Sequence, residues 1–184
     1  MFRMFAVAVG AALLALASGS ASAQNDDDGM LCVYDATAPD YETVAAAFLF
    51  GDDNETADAL LDKATQTCSD EFAFSEAETE AARDLAVYGA AIDYLTDALM
   101  VMDISDEAID GVFDIYGALG SDDIDLLYGA EWRDDVDFLA RLKADLIKAG
   151  FPDQTGELAA AYDIFEISAL ADDAMFTFAL ADDE

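Results

Sequence analysis

From Ser75 onward, Leu85, Tyr88, Ile92, Leu95, Leu99 and Met102 recur at steps of three and four. That spacing lines one face of an α-helix with apolar side chains. Ser75 with Glu78 three residues on fits a capping box, in which side chains and backbone satisfy each other's free groups at a helix start. The pattern therefore predicts a long helix ending near Asp103. Glu80, Asp84 and Asp97 fall largely off its apolar face, while Ala82, Ala86 and Gly89 form a second face of small residues suited to close packing.

Further helical segments flank this one. Asp40 to Phe50 starts after Pro39 and stops at Gly51, and Asn54 to about Cys68 opens on a good N-cap residue. Ser105 opens a segment closed by Gly120, and Ser121 a short one closed by Gly129. Glu131 to Ala149 reads as one helix stopped by Gly150 and Pro152, with Trp132, Val136, Leu139, Leu146 and Ala149 on its buried face. The last helix runs from about Thr155 to Leu170 or beyond, and the tail "MFTFALADDE" either extends it or docks separately. No convincing two-residue alternation of a strand occurs. The expectation is all-α: a compact bundle of six or seven helices within residues 39–184, carrying a single disulfide.

"YGA" occurs three times, at Tyr88, Tyr116 and Tyr128. The intervals differ, whereas a solenoid needs one fixed period. Reuse of an aromatic-plus-small packing step explains the triplets better than an internal repeat.

The N-terminus reads as an address. Arg3 supplies a minimal basic region, Met4 to Ala17 an apolar stretch, and Ala21-Ser22-Ala23 a small-residue cleavage site. That order is the layout of a secretory signal peptide over residues 1–23. The apolar stretch is short for a bilayer span, and no second one follows. Residues 24–38, beginning "QNDDDGM", read as a polar N-terminal arm ahead of the first helix. The expected destination is the periplasm or the extracellular medium.

Charge then narrows the partners. The chain has 41 Asp and Glu against seven Lys and Arg, a net −34, and loss of Arg3 with the leader takes this to −35. A domain of this size buries about 70% of its unfolded surface, enough for a core, and 55% of the residues are hydrophobic, which argues against disorder. A surface so negative repels nucleic acid and anionic lipid, whose binding needs Lys and Arg. It suits basic proteins and, weakly, divalent cations. Adaptation to a salty medium, where screening reduces repulsion, produces the same composition.

Cys32 and Cys68 are the only cysteines. In an exported chain a lone pair is most simply a disulfide. It would tie the N-terminal arm to a helical hairpin and stabilise the fold by about 4 kcal/mol in the chain-entropy model. A redox role finds no support, since the spacing is not C-x-x-C and no base stands nearby to activate a thiol.

Arg133, Arg141, Lys143 and Lys148 crowd into residues 131–149, among five acids, Glu131, Asp134, Asp135, Asp137 and Asp145. Two readings compete: an anion-binding site, or a near-neutral helix whose cations relieve acidic neighbours. An anion would have to approach through the field of the whole negative chain. The bases are also already interleaved with acids, Asp137 and Arg141 standing as a favourable i,i+4 pair and Lys148 near the helix C-terminus. The counterion reading is the better one.

Histidine is absent, which removes Ser-His-Asp and Cys-His catalysis, imidazole bases and nearly all zinc and di-iron bundle sites. No G-x-S-x-G, P-loop or dinucleotide motif is present. Acids are too abundant for any chosen pair to mark a carboxylate-only hydrolase. Gln24 to Asp35 resembles a calcium loop, with Asp26, Asp28 and Gly29 at suitable places. However, Gln24 and Asp35 occupy the first and last ligand positions, where Asp and a bidentate Glu are needed. "DEAIDGVF" likewise has Ala108 at a ligand position, and Ser121 to Asp125 reads as a cap with first-turn acids. No catalytic, cofactor-binding or metal-binding residue is assigned. The expected function is an exported acidic binding, inhibitory or structural accessory module for a basic protein. The alternatives are a low-affinity divalent-cation buffer or acid-stress protein and, less favoured, the hydrolase.

Overall fold

The side chains of Ser75 and Glu78 start the helix around which the rest is arranged. Glu78 N–H donates to Ser75 Oγ at 3.2 Å and Ser75 N–H donates back to a Glu78 carboxylate oxygen at 2.5 Å, the reciprocal pair that the spacing predicts. In the computed structural model, which describes residues 23–181, eight α-helices follow one another. They are α1 (Ala23–Thr37), α2 (Tyr41–Phe50), α3 (Asn54–Phe72), α4 (Glu76–Val101), α5 (Asp106–Gly117), α6 (Ser121–Tyr128), α7 (Val136–Ala149) and α8 (Thr155–Ala181). Single 3-10 turns at Ala38–Asp40 and Glu131–Arg133 precede α2 and α7. The described residues contain no strand. The all-α bundle expected from the apolar spacing is what forms, with α2 to α8 as its seven expected helices.

The segment read as a polar arm is instead helix α1, and Cys32 lies within it rather than ahead of the first helix. Its composition hides the helix: its first turns are the polar run Gln24–Asp28, and tertiary packing against α3 and α4 supplies what local propensity does not. Val33 is wholly buried there, and the Sγ atoms of Cys32 and Cys68 stand at disulfide distance, joining α1 to α3. Of the leader expected at 1–23, all but Ala23 lies outside the described residues. Among the described residues, no helix is long and apolar enough to cross a membrane.

Two cores meet along α4. Its first half joins Val33 of α1, Val44 of α2, Leu61 and Cys68 of α3 and Phe178 of α8 through Ala82, Leu85 and Ala86. Its second half, with Leu95 and Leu99, joins Val112 of α5, Leu127 of α6, Phe138, Leu142 and Leu146 of α7 and Phe165 of α8. Since the end of α8 packs in the first cluster and its beginning in the second, α4 and α8 run past each other in opposite directions. Full burial of each large aliphatic or aromatic side chain contributes about 1.5–3 kcal/mol. Met102, expected on the apolar face of α4, is largely exposed because the chain turns away at Asp103, whose φ is +62°.

The small-residue face does what its size allows. Ala82 and Ala86 are fully buried, and at Gly89 the ring of Tyr34 from α1 lies so close that an added Cβ would stand 2.6 Å from two ring carbons. Tyr34 cannot easily withdraw, because its hydroxyl donates to Asp93 at 2.7 Å.

Residues 131–149 are not one helix. The side chain of Asp135 accepts from the N–H groups of Asp137 (3.1 Å) and Phe138 (2.9 Å), which starts α7 afresh after the 3-10 turn. The break rotates the buried face: Trp132, on the turn, is 3% exposed, Phe138 and Leu142 enter the core, and Val136 is left 75% exposed. At the other end the tail is continuous with α8 as far as Ala181.

The close approach at Gly89 yields a test. Alanine at a helix interior ordinarily gains about 1 kcal/mol over glycine, but forcing a methyl into a packed interface costs about 1–3 kcal/mol. Gly89→Ala is expected to lower the urea midpoint of unfolding. An unchanged or raised midpoint would mean that Tyr34 is not held where it stands.

Candidate functional site

Three of the four cations of residues 131–149 are directed to carboxylates on neighbouring elements. Arg133 stacks on the Trp132 ring, 4.4 Å from its centroid, and donates to Asp163 at 3.3 Å and to Glu166, both on α8. Arg141 of α7 grips both oxygens of Asp123 in the first turn of α6, at 2.7 and 3.2 Å. Lys143 reaches Asp153, in the loop before α8, at 2.6 Å. In α4, Arg83 is turned toward α3, where it pairs with Asp58 and Asp62. The i,i+4 partner expected for Arg141, Asp137, is passed over in favour of a carboxylate on another helix. Arg133, Arg141 and Lys143 point at different elements rather than at one hollow, the geometry of internal counterions. Asp123 responds accordingly: the Arg141 hydrogen bonds hold its carboxyl below the usual range.

Where cations are lacking, tyrosines take their place. Tyr34 of α1 donates to Asp93, Tyr41 of α2 to Asp97, and Tyr116 of α5 to Asp172 of α8 at 2.6 Å. Each of these phenols is pushed well above its ordinary pKa. Burial is the first cause for Tyr34 and Tyr116, and the hydrogen bond to the carboxylate for Tyr41. Asp93 is raised by burial; the Tyr34 hydrogen bond opposes this shift and the nearby Asp97 carboxylate adds to it.

One concavity combines enclosure with chemistry. Ala77, Glu80, Ala81, Asp84 and Tyr88 of α4 face Leu170, Asp173, Ala174 and Thr177 of α8, and Tyr128 at the end of α6 closes one side. The cleft holds about 270 Å³. The alanines make room for it: larger side chains at 77, 81 and 174 would bring α4 and α8 into full contact. Among the described residues, no lysine or arginine lines it. Burial raises the pKa of Asp84, the Glu80 carboxylate adds to the shift, and Arg83 opposes it. Tyr88 is raised by burial and then by Asp84, and its ring meets Phe48 edge-on at 5.6 Å. A second depression, bounded by Leu126, Glu131, Asp134, Asp135 and Val136, is wide open and shallow.

Residues Gln24 to Asp35, with their resemblance to a calcium loop, fall inside α1, where a continuous helix replaces the required loop. Among the described residues, no three acids or cysteines are grouped so as to hold a metal ion. The cleft residues escaped the sequence reading because acids are too numerous to single out. One signal was present nonetheless: two of the three YGA tyrosines, Tyr88 and Tyr128, meet there, and the third, Tyr116, binds Asp172 beside Asp173. No family model matches the chain, and neither do any curated proteins or solved structures.

Protonation gives a directional test. Asp84 and Asp93, with raised folded-state values, bind protons more tightly folded than unfolded. Their stabilising contribution is present at low pH and is lost as pH rises through those values; that of Asp123, depressed, is lost as pH falls through its folded value. The urea midpoint is therefore expected to rise as pH falls through the folded-state values of Asp84 and Asp93 and to decline again in strong acid. An Asp84→Asn, Asp93→Asn double variant should flatten that rise. Identical profiles for variant and parent would remove those two groups as its source.

Proposed function

We propose that the chain is exported and acts in the periplasm or the medium as an acidic binding, inhibitory or structural accessory module for a basic protein. The observation that carries this reading is the disposition of charge. The chain carries a net −34 and folds as a bundle, in which Arg83, Arg133, Arg141 and Lys143 are drawn onto neighbouring carboxylates. Most of the remaining carboxylates face solvent, where their summed field attracts and orients a positively charged partner.

Export supplies the setting, and the layout of residues 1–23 supports it. The chain expressed with its leader is expected to accumulate outside the cytoplasm with Gln24 as its first residue, as read by N-terminal sequencing. Retention in the cytoplasm with Met1 intact would defeat the proposal of export. For binding, residues 24–184 immobilised at low ionic strength should retain a basic protein whose association rate falls steeply as salt is added. Absence of any partner with salt-dependent association would overturn the binding reading.

A second reading, an acid-stress protein, draws on Asp84 and Asp93, whose burial favours protonation as the medium acidifies. A hydrophobic dye that fluoresces with the protein on acidification to about pH 4 would favour it, while silence across the titration would remove it.

A further inference from the structure

We propose that the cleft between α4 and α8 receives one arginine side chain of the basic partner, its guanidinium lying against the tyrosine rings and hydrogen-bonded to carboxylates at the rim. This rests on the proposal that the chain binds a basic protein, and it names the point of contact.

Three features of the cavity specify the occupant. Its volume, about 270 Å³, lies just below the range of about 300–1,000 Å³ usual for pockets that take a whole small ligand. One long side chain is a better match. Its chemistry is that of a flat organic cation: Tyr88 and Tyr128 offer π faces, Glu80, Asp84 and Asp173 offer carboxylate oxygens, and the alanines leave apolar space for a methylene stem. A guanidinium is weakly hydrated, stacks on aromatic rings and presents five donors in a plane, whereas an ammonium is a strongly hydrated point charge. The cleft's carboxylates have no cation of the chain hydrogen-bonded to them among the described residues. The base nearest in sequence, Arg83, is turned to Asp58 and Asp62 on α3, and among the described residues no lysine or arginine lines the cleft. A bare metal ion is a poorer fit, since among the described residues no three acids are grouped to share one. Tyr128 is 52% exposed, so a side chain can enter beside it from solvent.

The test uses residues 24–184 with N-acetyl-arginine amide and N-acetyl-lysine amide as probes, titrated while the tyrosine ring resonances are followed by NMR. The arginine probe is expected to shift the Tyr88 and Tyr128 signals and to bind more tightly than the lysine probe. Asp84→Asn or Asp173→Asn should weaken it about tenfold or more, as loss of a charge-assisted hydrogen bond implies. Tyr128→Ala should weaken it about two- to fivefold, the range for an exposed cation–π contact. Asp110→Asn, an equal change of charge at an exposed position on α5, should leave binding unchanged, and circular dichroism reports whether each variant is folded. If Asp110→Asn weakens binding as much as Asp84→Asn, attraction is diffuse: the cleft is overturned while the acidic module stands. Equal binding of the two probes overturns the assignment of arginine. Failure of the whole chain to associate with any basic protein overturns the parent reading instead.

Discussion

Forty-one carboxyl-bearing side chains share this chain with seven cations, and a bundle cannot close around carboxylates that have no donor. An ionised acid near an interface needs a hydrogen bond or a cation, or it must take up a proton. Both kinds of donor are used here. Arg83, Arg133, Arg141 and Lys143 each bridge two elements. Where no cation is at hand, Tyr34, Tyr41 and Tyr116 bridge two helices with a phenol. A tyrosine brings apolar area and one neutral donor together, so it can hold an aspartate at a helix boundary while its ring extends the core.

That economy explains the placement of the cations. The segment holding Arg133, Arg141 and Lys143 sits opposite acids on α6, on α8 and in the loop before α8. Each pair is exposed enough to be screened by salt, and an isolated surface pair stabilises little. Together they relieve repulsion where three elements converge. The outward carboxylates are then left without partners, and the field of the molecule follows from its internal accounting.

The cleft follows from α4 serving two cores at once. Its first half closes the cluster around the Cys32–Cys68 link and its second half the cluster around Trp132 and Phe165. Small residues are needed where neighbouring elements come closest, as at Gly89 against Tyr34 of α1. On the flank toward α8, Ala77, Ala81 and Ala174 leave a gap between the helices, and acids and tyrosines surround it. Neighbouring carboxylates raise one another's proton affinity, as Glu80 does for Asp84 against the opposing pull of Arg83.

Apolar spacing with caps and breakers determined six or seven helices, the capping box at Ser75 and the small face of α4, and the count of two cysteines their pairing, because these rest on local periodicity and chemistry. Tertiary structure decided the rest. Helix α1 forms on a stretch that opens with a polar run because α3 and α4 offer it a surface. Residues 131–149 break at Asp135 because burying Trp132 and Phe138 together outweighs continuity of one helix, leaving Val136 outside. Which acid meets which donor was equally invisible: Arg141 chose Asp123 over Asp137, and Tyr88, Tyr128 and Asp173 came together from three helices. Local patterns report which face of a helix is apolar; only the packing of helices distant in sequence fixes which polar side chains meet across them.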